Sequence, residues 1–290
     1  MTGSQSDGGA HDGRLRERVR RRLLLAMAAG LERFDLDNPA VEETCQPVRV
    51  RDLPEALVGL TIAQVSDLHV GPGRWQPRRW REAALLVGRS APSFVVNTGD
   101  FLQWEPDPDR AREIFSAFMA SASDQGDART FAILGNHDYY AGLDMVHRWN
   151  AQLDSIDVTV LTNLTTSVVC NGARLSITGL TTQEPGFEDA IEALLAADRP
   201  RIVLIHEPDL SGWLPARSAD LILAGHTHGG QATLPFLERF IVRTFARSHF
   251  VEGWYTVNDN PMYVNRGLGF TGYPFRLRAR PEVSIFRLTH

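Results

Sequence analysis

Five short runs of the chain are almost wholly apolar and stop abruptly at polar residues: 60–66, 94–98, 131–134, 201–205 and 221–224. Unbroken apolarity over so few positions predicts strands buried on both faces. Between several of them, apolar residues recur at helical spacing, over 76–89, 108–120, 143–152 and 187–197. Those segments predict amphipathic helices covering the strands. Segments 158–161, 167–169, 175–178, 262–265 and 283–288 add strands that lack a full helical crossover. The pattern predicts one α/β domain over 60–290, a mixed sandwich of two sheets flanked by helices in four layers, α/β/β/α, with its functional loops at strand ends.

The first residues follow other patterns. Residues 1–13 are rich in Gly, Ser and Asp without apolar periodicity and read as a disordered tail. Over 14–36, Leu15, Val19, Leu23, Met27, Leu31 and Phe34 recur at helical spacing, while Arg14, Arg16, Arg18, Arg20, Arg21 and Arg22 crowd the first half. This is a basic amphipathic helix with three open placements: docked on the domain, peripheral on an anionic membrane surface, or serving as a twin-arginine export signal. The apolar run 23–31 is too short to span a bilayer, which needs about 20 such residues. Export is disfavoured by Glu32, Arg33 and Asp35 directly after it, so the expected location is cytoplasmic, with peripheral contact at the inner membrane face as the alternative. Residues 37–59 read as a linker or first strand. Further on, 234–245 mixes Phe236, Leu237, Phe240, Ile241 and Phe245 with Arg239 and Arg243, which suits a packed helix or a membrane-facing flap.

Composition narrows the partners. A hydrophobic content of 43% and a charged content of 22% fit a chain that buries a full core, and a formal charge of -5 argues against a nucleic-acid partner. Only Cys45 and Cys170 are present, which excludes a disulfide framework and a cysteine-rich metal site. All 30 basic residues are Arg, read first as a genomic composition bias.

The candidate chemistry stands directly after the apolar strands: Asp67-Leu68-His69, Gly99-Asp100, Gly135-Asn136-His137-Asp138, His206, and Gly225-His226-Thr227-His228. Singly, each is an ordinary loop residue, a helix cap or a satisfied core histidine. Together they would bury several carboxylates and imidazoles at one place, which is costly without cations. Carboxylate, imidazole and amide oxygen without thiolate suit manganese, iron or zinc. A pair of such ions activates water and clamps phosphoryl oxygens, so hydrolysis needs no protein nucleophile. Consistently, the chain carries no G-x-S-x-G elbow, P-loop or H-E-x-x-H.

In this order and spacing, the segments resemble the calcineurin-like metallophosphoesterase superfamily from about residue 60 to the C-terminus. The resemblance implies that Asp67, His69 and His228 hold one divalent metal, that Asn136, His206 and His226 hold the other, and that Asp100 bridges them. It further implies a dimetal-bridging hydroxide, a substrate-side His137, and an Asp138 that orients its imidazole. The runs 225–231 (GHTHGGQ) and 265–269 (NRGLG) and Pro281-Glu282-Val283 resemble a bacterial branch with membrane-associated phosphodiesterases and enzymes similar to UDP-diacylglucosamine pyrophosphatase. After Asp100 the chain departs from the frequent family form, with Gln103 and Trp104 in place of a common acidic residue.

The expected activity is thus metal-dependent hydrolysis of a phosphodiester or pyrophosphate bond, on a phosphate-ester small molecule or a lipid-linked or nucleotide-sugar substrate. A phosphomonoesterase or phosphoprotein phosphatase needs the same metals, and a catalytically silent binding scaffold is the reading of another class. Arg266, in its Gly-rich loop, meets either a substrate phosphate or a surface carboxylate. Trp75 and Trp104 either line the rim of the site or pack its loops.

Overall fold

The apolar runs become the inner strands of two six-stranded sheets. The structure, a computed structural model, describes residues 40–70, 77–103, 106–123, 128–231, 238–271 and 276–290. The first sheet takes strands from both ends of the chain: β1 (Glu42–Arg49), β2 (Thr61–Val65), β3 (Phe94–Asn97), β4 (Arg129–Ala132), β5 (Val158–Val160) and, from the C-terminus, β12 (Glu282–Thr289). Their order is β1-β12-β2-β3-β4-β5, parallel except between β12 and β2.

The second sheet contains β6 (Leu164–Cys170), β7 (Ala173–Leu180), β8 (Arg201–Ile205), β9 (Leu221–Ala224), β10 (Gly253–Val257) and β11 (Asn260–Val264). Its order is β10-β11-β9-β8-β7-β6, parallel from β11 to β7 with an antiparallel strand at each edge. β1 falls within the stretch read as linker or first strand and builds an edge of the first sheet. β10 was not expected from sequence, because its residues alternate between half-buried and exposed positions.

Side chains alternate along each strand, so every inner strand feeds two cores. Ile62, Phe94, Val96, Phe131 and Ile133 face Ile177, Ile202, Leu204, Leu221 and Leu223 between the sheets. The opposite face of the first sheet, with Ala63, Val65, Val95 and Ala132, packs on Trp80, Ala83, Phe115, Phe118, Val146 and Trp149. These belong to α1 (Pro77–Ser90), α2 (Pro108–Ser123) and α4 (Leu143–Asp154). Across the molecule, Val203, Ile205, Ile222, Ala224 and Met262 pack on Phe187, Ala190 and Leu194 of α5 (Phe187–Ala196). Each buried Val, Leu, Ile, Phe or Met side chain among them contributes about 1.5–3 kcal/mol, and the four expected layers result.

Two further α-helices are short: α3 (Asn136–Tyr139) directly after β4, and α6 (Glu238–Phe245), on which Phe240 is exposed. Among the described residues, no helix is long and apolar enough to cross a membrane. The tail 1–13, the basic helix 14–36, Trp75, Trp104 and residues 234–237 lie outside the described residues.

Candidate metal centre

The parallel strands of both sheets deliver their C-terminal ends to one place. Asp67 and His69 follow β2, Asp100 follows β3, Asn136 and His137 open α3 after β4, His206 follows β8, and His226 and His228 follow β9. A chain leaving a buried strand must turn at once, and here the turn is made on the functional residues themselves. Asp67, His69, Asp100, His226 and His228 all have left-handed backbone, with φ of 53°, 50°, 57°, 74° and 53°. For non-glycine residues this costs of order 1–3 kcal/mol each and persists where the surroundings over-determine the geometry.

Glycines set how closely the loops approach. A Cβ at Gly135 would stand 2.2 Å from Asp100 Oδ1, and one at Gly225 would stand 2.1 Å from Ser66 Oγ and 2.6 Å from Asp67 Oδ2. The two glycines therefore let backbone lie directly against the carboxylates.

Three sets of ligand-type atoms converge, each within 4.8 Å: Asp67, His69 and His228; His69, Asp100 and His137; Asp100, His206 and His226. His69 Nε2 lies 2.9 Å from His228 Nε2, and His228 Nε2 lies 3.3 Å from Asp67 Oδ1. Asp100 Oδ2 sits between the two halves, 3.5 Å from His69 Nε2 and 3.2 Å from His206 Nε2. His206 donates through Nδ1 to the Thr98 carbonyl (2.7 Å), and His226 donates through Nε2 to that of Ala246 (2.9 Å). Each bond fixes which nitrogen is left for the centre, and those two nitrogens face each other at 3.3 Å. The Oδ1 atom of Asn136 is buried without a hydrogen-bond partner among the described residues.

Electrostatics follow from burial. Burial opposes charge on Asp100, yet the imidazoles of His206, His137 and His69 hold its carboxyl well below the usual range. Burial, only partly offset by His206, pushes Asp67 up. His69 and His228 are held well below the ordinary imidazole value, first by burial and then by neighbouring imidazoles and Arg276. His206 moves the other way: burial opposes its charge, but Asp100 raises it to about 10. Opposed shifts of this kind arise when carboxylates and imidazoles crowd one water-poor space, and divalent charge would favour the deprotonated form of every member. Buried oxygen and nitrogen donors without sulfur, together with the orphaned amide oxygen, fit divalent metal ions.

The remaining predicted residues take distinct places. The imidazole of His137 stands edge-on to that of His69, centroids 4.7 Å apart, with Nε2 3.4 Å from Thr271 Oγ1; burial lowers its pKa. Asp138 is corrected in role. Its carboxylate accepts from the backbone N–H groups of Asp100 (3.0 Å), Leu102 (2.9 Å) and Gly135 (2.9 Å), so it ties the Asp100 loop to the Gly135 loop and does not orient the imidazole. Burial and then Asp100 raise it to about 7.

Arg266 carries the salt bridges of its second reading: its guanidinium meets Glu282 at 2.8 Å, Glu42 at 2.9 Å and Glu252 at 3.5 Å. Its loop covers the centre instead through backbone, with Gly269 N–H donating to Asp67 O (2.6 Å) and Leu268 N–H to Ser66 O (2.9 Å).

Two contributors escaped sequence reading. Arg276, buried, donates to the carbonyls of Gly269 and Arg266 and places Nη2 3.0 Å from His228 Nδ1. Tyr140 accepts from Asn136 Nδ2 at 2.7 Å. The signal for Arg276 was a lone cation between Phe275 and Leu277, and for Tyr140 its position two residues past the Asn-His-Asp run.

The family described as calcineurin-like phosphoesterase matches residues 60–230. The chain is 29% identical over 258 residues to an uncharacterized metallophosphoesterase, YkuE, of Bacillus subtilis, covering 87% of each chain. It is 31% identical over 230 residues to the phosphodiesterase YaeI of Escherichia coli, covering 78% of this chain and 81% of that one. Among solved structures, a dimetal phosphatase from Danio rerio matches with a TM-score of 0.43 and 12% identity, over 73% of this chain and 88% of that one. With ligand-type residues gathered from five loops inside the matched region, the chain belongs to the calcineurin-like phosphoesterase family.

Proposed function

We propose that the chain hydrolyses phosphodiester or pyrophosphate bonds with two divalent cations, one held by Asp67, His69 and His228, the other by Asn136, His206 and His226, with Asp100 shared. The observation that carries this reading is the convergence of the three ligand sets on Asp100 and His69. Bound there, the cations would polarise phosphoryl oxygens and lower the pKa of a water toward neutrality.

The chain's own groups do the rest. Asp100, flanked by His69 and His206, holds the two halves of the centre at a fixed separation. Asp138 fixes the backbone beneath it. His137, beside His69 and the Thr271 hydroxyl, stabilises charge on the substrate or gives a proton to the leaving oxygen. The oxygen and imidazole donor set favours manganese, with iron or zinc as alternatives.

Preference for a diester is supported by the phosphodiesterase YaeI among the relatives. A lipid-linked or nucleotide-sugar substrate is the finer form of the proposal; α6, on which Phe240 is 66% exposed, packs against the turn that carries His228. The test is a substrate panel with metal-stripped protein reloaded with manganese: bis(p-nitrophenyl) phosphate, p-nitrophenyl phosphate, and a nucleotide-sugar pyrophosphate with and without acyl chains. Chelator-sensitive cleavage with higher kcat/KM on diesters or pyrophosphates is expected. A monoester preference overturns the bond assignment, and no hydrolysis with any divalent metal overturns the whole reading.

A further inference from the structure

The helix α3 is a single turn, and its geometry places residues four apart on one side. Asn136 opens the turn and Tyr140 caps it, so the amide and the phenol meet: Asn136 Nδ2 donates to Tyr140 Oη at 2.7 Å. An amide has a donor end and an acceptor end, and anchoring one fixes the other. With nitrogen bound to Tyr140, Oδ1 is turned into the protein, where it is buried and has no hydrogen-bond partner among the described residues. The same phenol ring lies against His137, centroids 4.6 Å apart and planes tilted by 54°. Tyr140 thus touches both the amide assigned to a metal and the imidazole assigned to the substrate side, while remaining 52% exposed itself.

We infer that Tyr140 is a positioning residue with two separable functions. Its hydroxyl holds the Asn136 amide with oxygen toward the second cation, and its ring holds the His137 imidazole in place. The inference rests on the dimetal reading above. Freed from Tyr140, Asn136 would sample torsions that carry Oδ1 away, and the cation site would be formed only part of the time. Outer-shell partners of this kind typically change metal affinity by about 10- to 100-fold. A single neutral hydrogen bond belongs at the lower end of that range.

Because Tyr140 is half exposed at the end of a one-turn helix, its substitution leaves the cores described above intact. The experiment compares full-length wild type, Tyr140→Phe and Tyr140→Leu, with circular dichroism and thermal melts to establish folding. Metal-stripped proteins are titrated calorimetrically with Mn²⁺ alone, and kcat and KM for bis(p-nitrophenyl) phosphate are measured at saturating Mn²⁺. Wild type should bind two ions per chain. Tyr140→Phe, which keeps the ring, should weaken one of the two by about tenfold. Tyr140→Leu should show the same loss of affinity and a kcat lower than that of Tyr140→Phe, with KM little changed.

Unchanged affinities in Tyr140→Phe overturn the hydroxyl's role. Equal kcat in the Phe and Leu variants overturns the ring's role. A change confined to KM makes Tyr140 a substrate contact and overturns both. Fewer than two ions in wild type overturns the dimetal reading and the inference with it, a failure distinct from the others.

Discussion

The Nε2 atoms of His69 and His228 lie 2.9 Å apart although 159 residues separate them in sequence, and their rings stack with centroids 4.9 Å apart. One follows a strand of the first sheet and the other a strand of the second, so the candidate centre is also a seam between the sheets. Burial and neighbouring charge disfavour a proton on either ring. Two buried, unprotonated nitrogens pointed at each other are suited to a shared cation neighbourhood.

Asp100 is the member shared by both halves. In Asp100→Asn the shape is retained and the anion is lost, while His69, His137 and His206 remain around it. Metal content by elemental analysis is expected to fall below two per chain, and turnover to fall by at least about 10²-fold, the upper end of what an outer-shell loss costs.

His137 stands beside the centre without being assigned as a ligand. His137→Ala is expected to leave bound metal at the wild-type level and to depress turnover by about 10² to 10⁴, the usual size of a general acid–base contribution. Elemental analysis alongside kcat separates this from loss of a ligand.

How much of this was legible in the chain depends on the range of the interaction. β2, β3, β8 and β9 were readable because strands buried on both faces must be continuously apolar, and the metal-type residues follow directly where those runs stop. β10 was not, because an edge strand with one face in water carries polar residues at alternate positions. The role of Asp138 was misread for a related reason: adjacency to His137 suggested a bond between them, whereas the turn of α3 aims its carboxylate at backbone N–H groups of a different loop. Arg276 acts through folding contacts that no spacing encodes, whereas the four-residue spacing of Asn136 and Tyr140 becomes informative only once a helical turn is known to start at Asn136. For Arg266, the partners Glu42 and Glu282 are 224 and 16 residues away in sequence, and their convergence depends on β1 pairing with β12.

Glu282 anchors that network. Its carboxylate, 1% exposed, accepts from Arg266 Nε (2.8 Å), Thr44 Oγ1 (2.8 Å), Ser284 Oγ (2.7 Å) and the Tyr263 hydroxyl. Burial opposes its ionisation, but Arg266 and these donors hold its pKa below the ordinary 4.5. A depressed folded-state pKa gives stability that is fully present above the unfolded value and lost as pH falls through the folded one. Glu282→Gln is therefore expected to be less stable by about 2 kcal/mol at pH 7. The gap to wild type should narrow as pH drops below 4.5, measured by urea denaturation across pH.

Gly99 has φ of +98°, and a Cβ there would stand 2.6 Å from Gly135 N and 2.8 Å from His206 Nδ1. Gly99→Ala is expected to destabilise the protein by more than about 1 kcal/mol, since both the backbone conformation and the space oppose it. Gly212→Ala, whose added methyl meets nothing within 4 Å, is the matched control and should remain close to wild type in the same denaturation series.

Anomalous diffraction from crystals grown with manganese most directly tests the central claim. Two peaks are predicted, one among Asp67, His69 and His228 and one among Asn136, His206 and His226, with Asp100 touching both. A single ion, or manganese bound away from these residues, would contradict it.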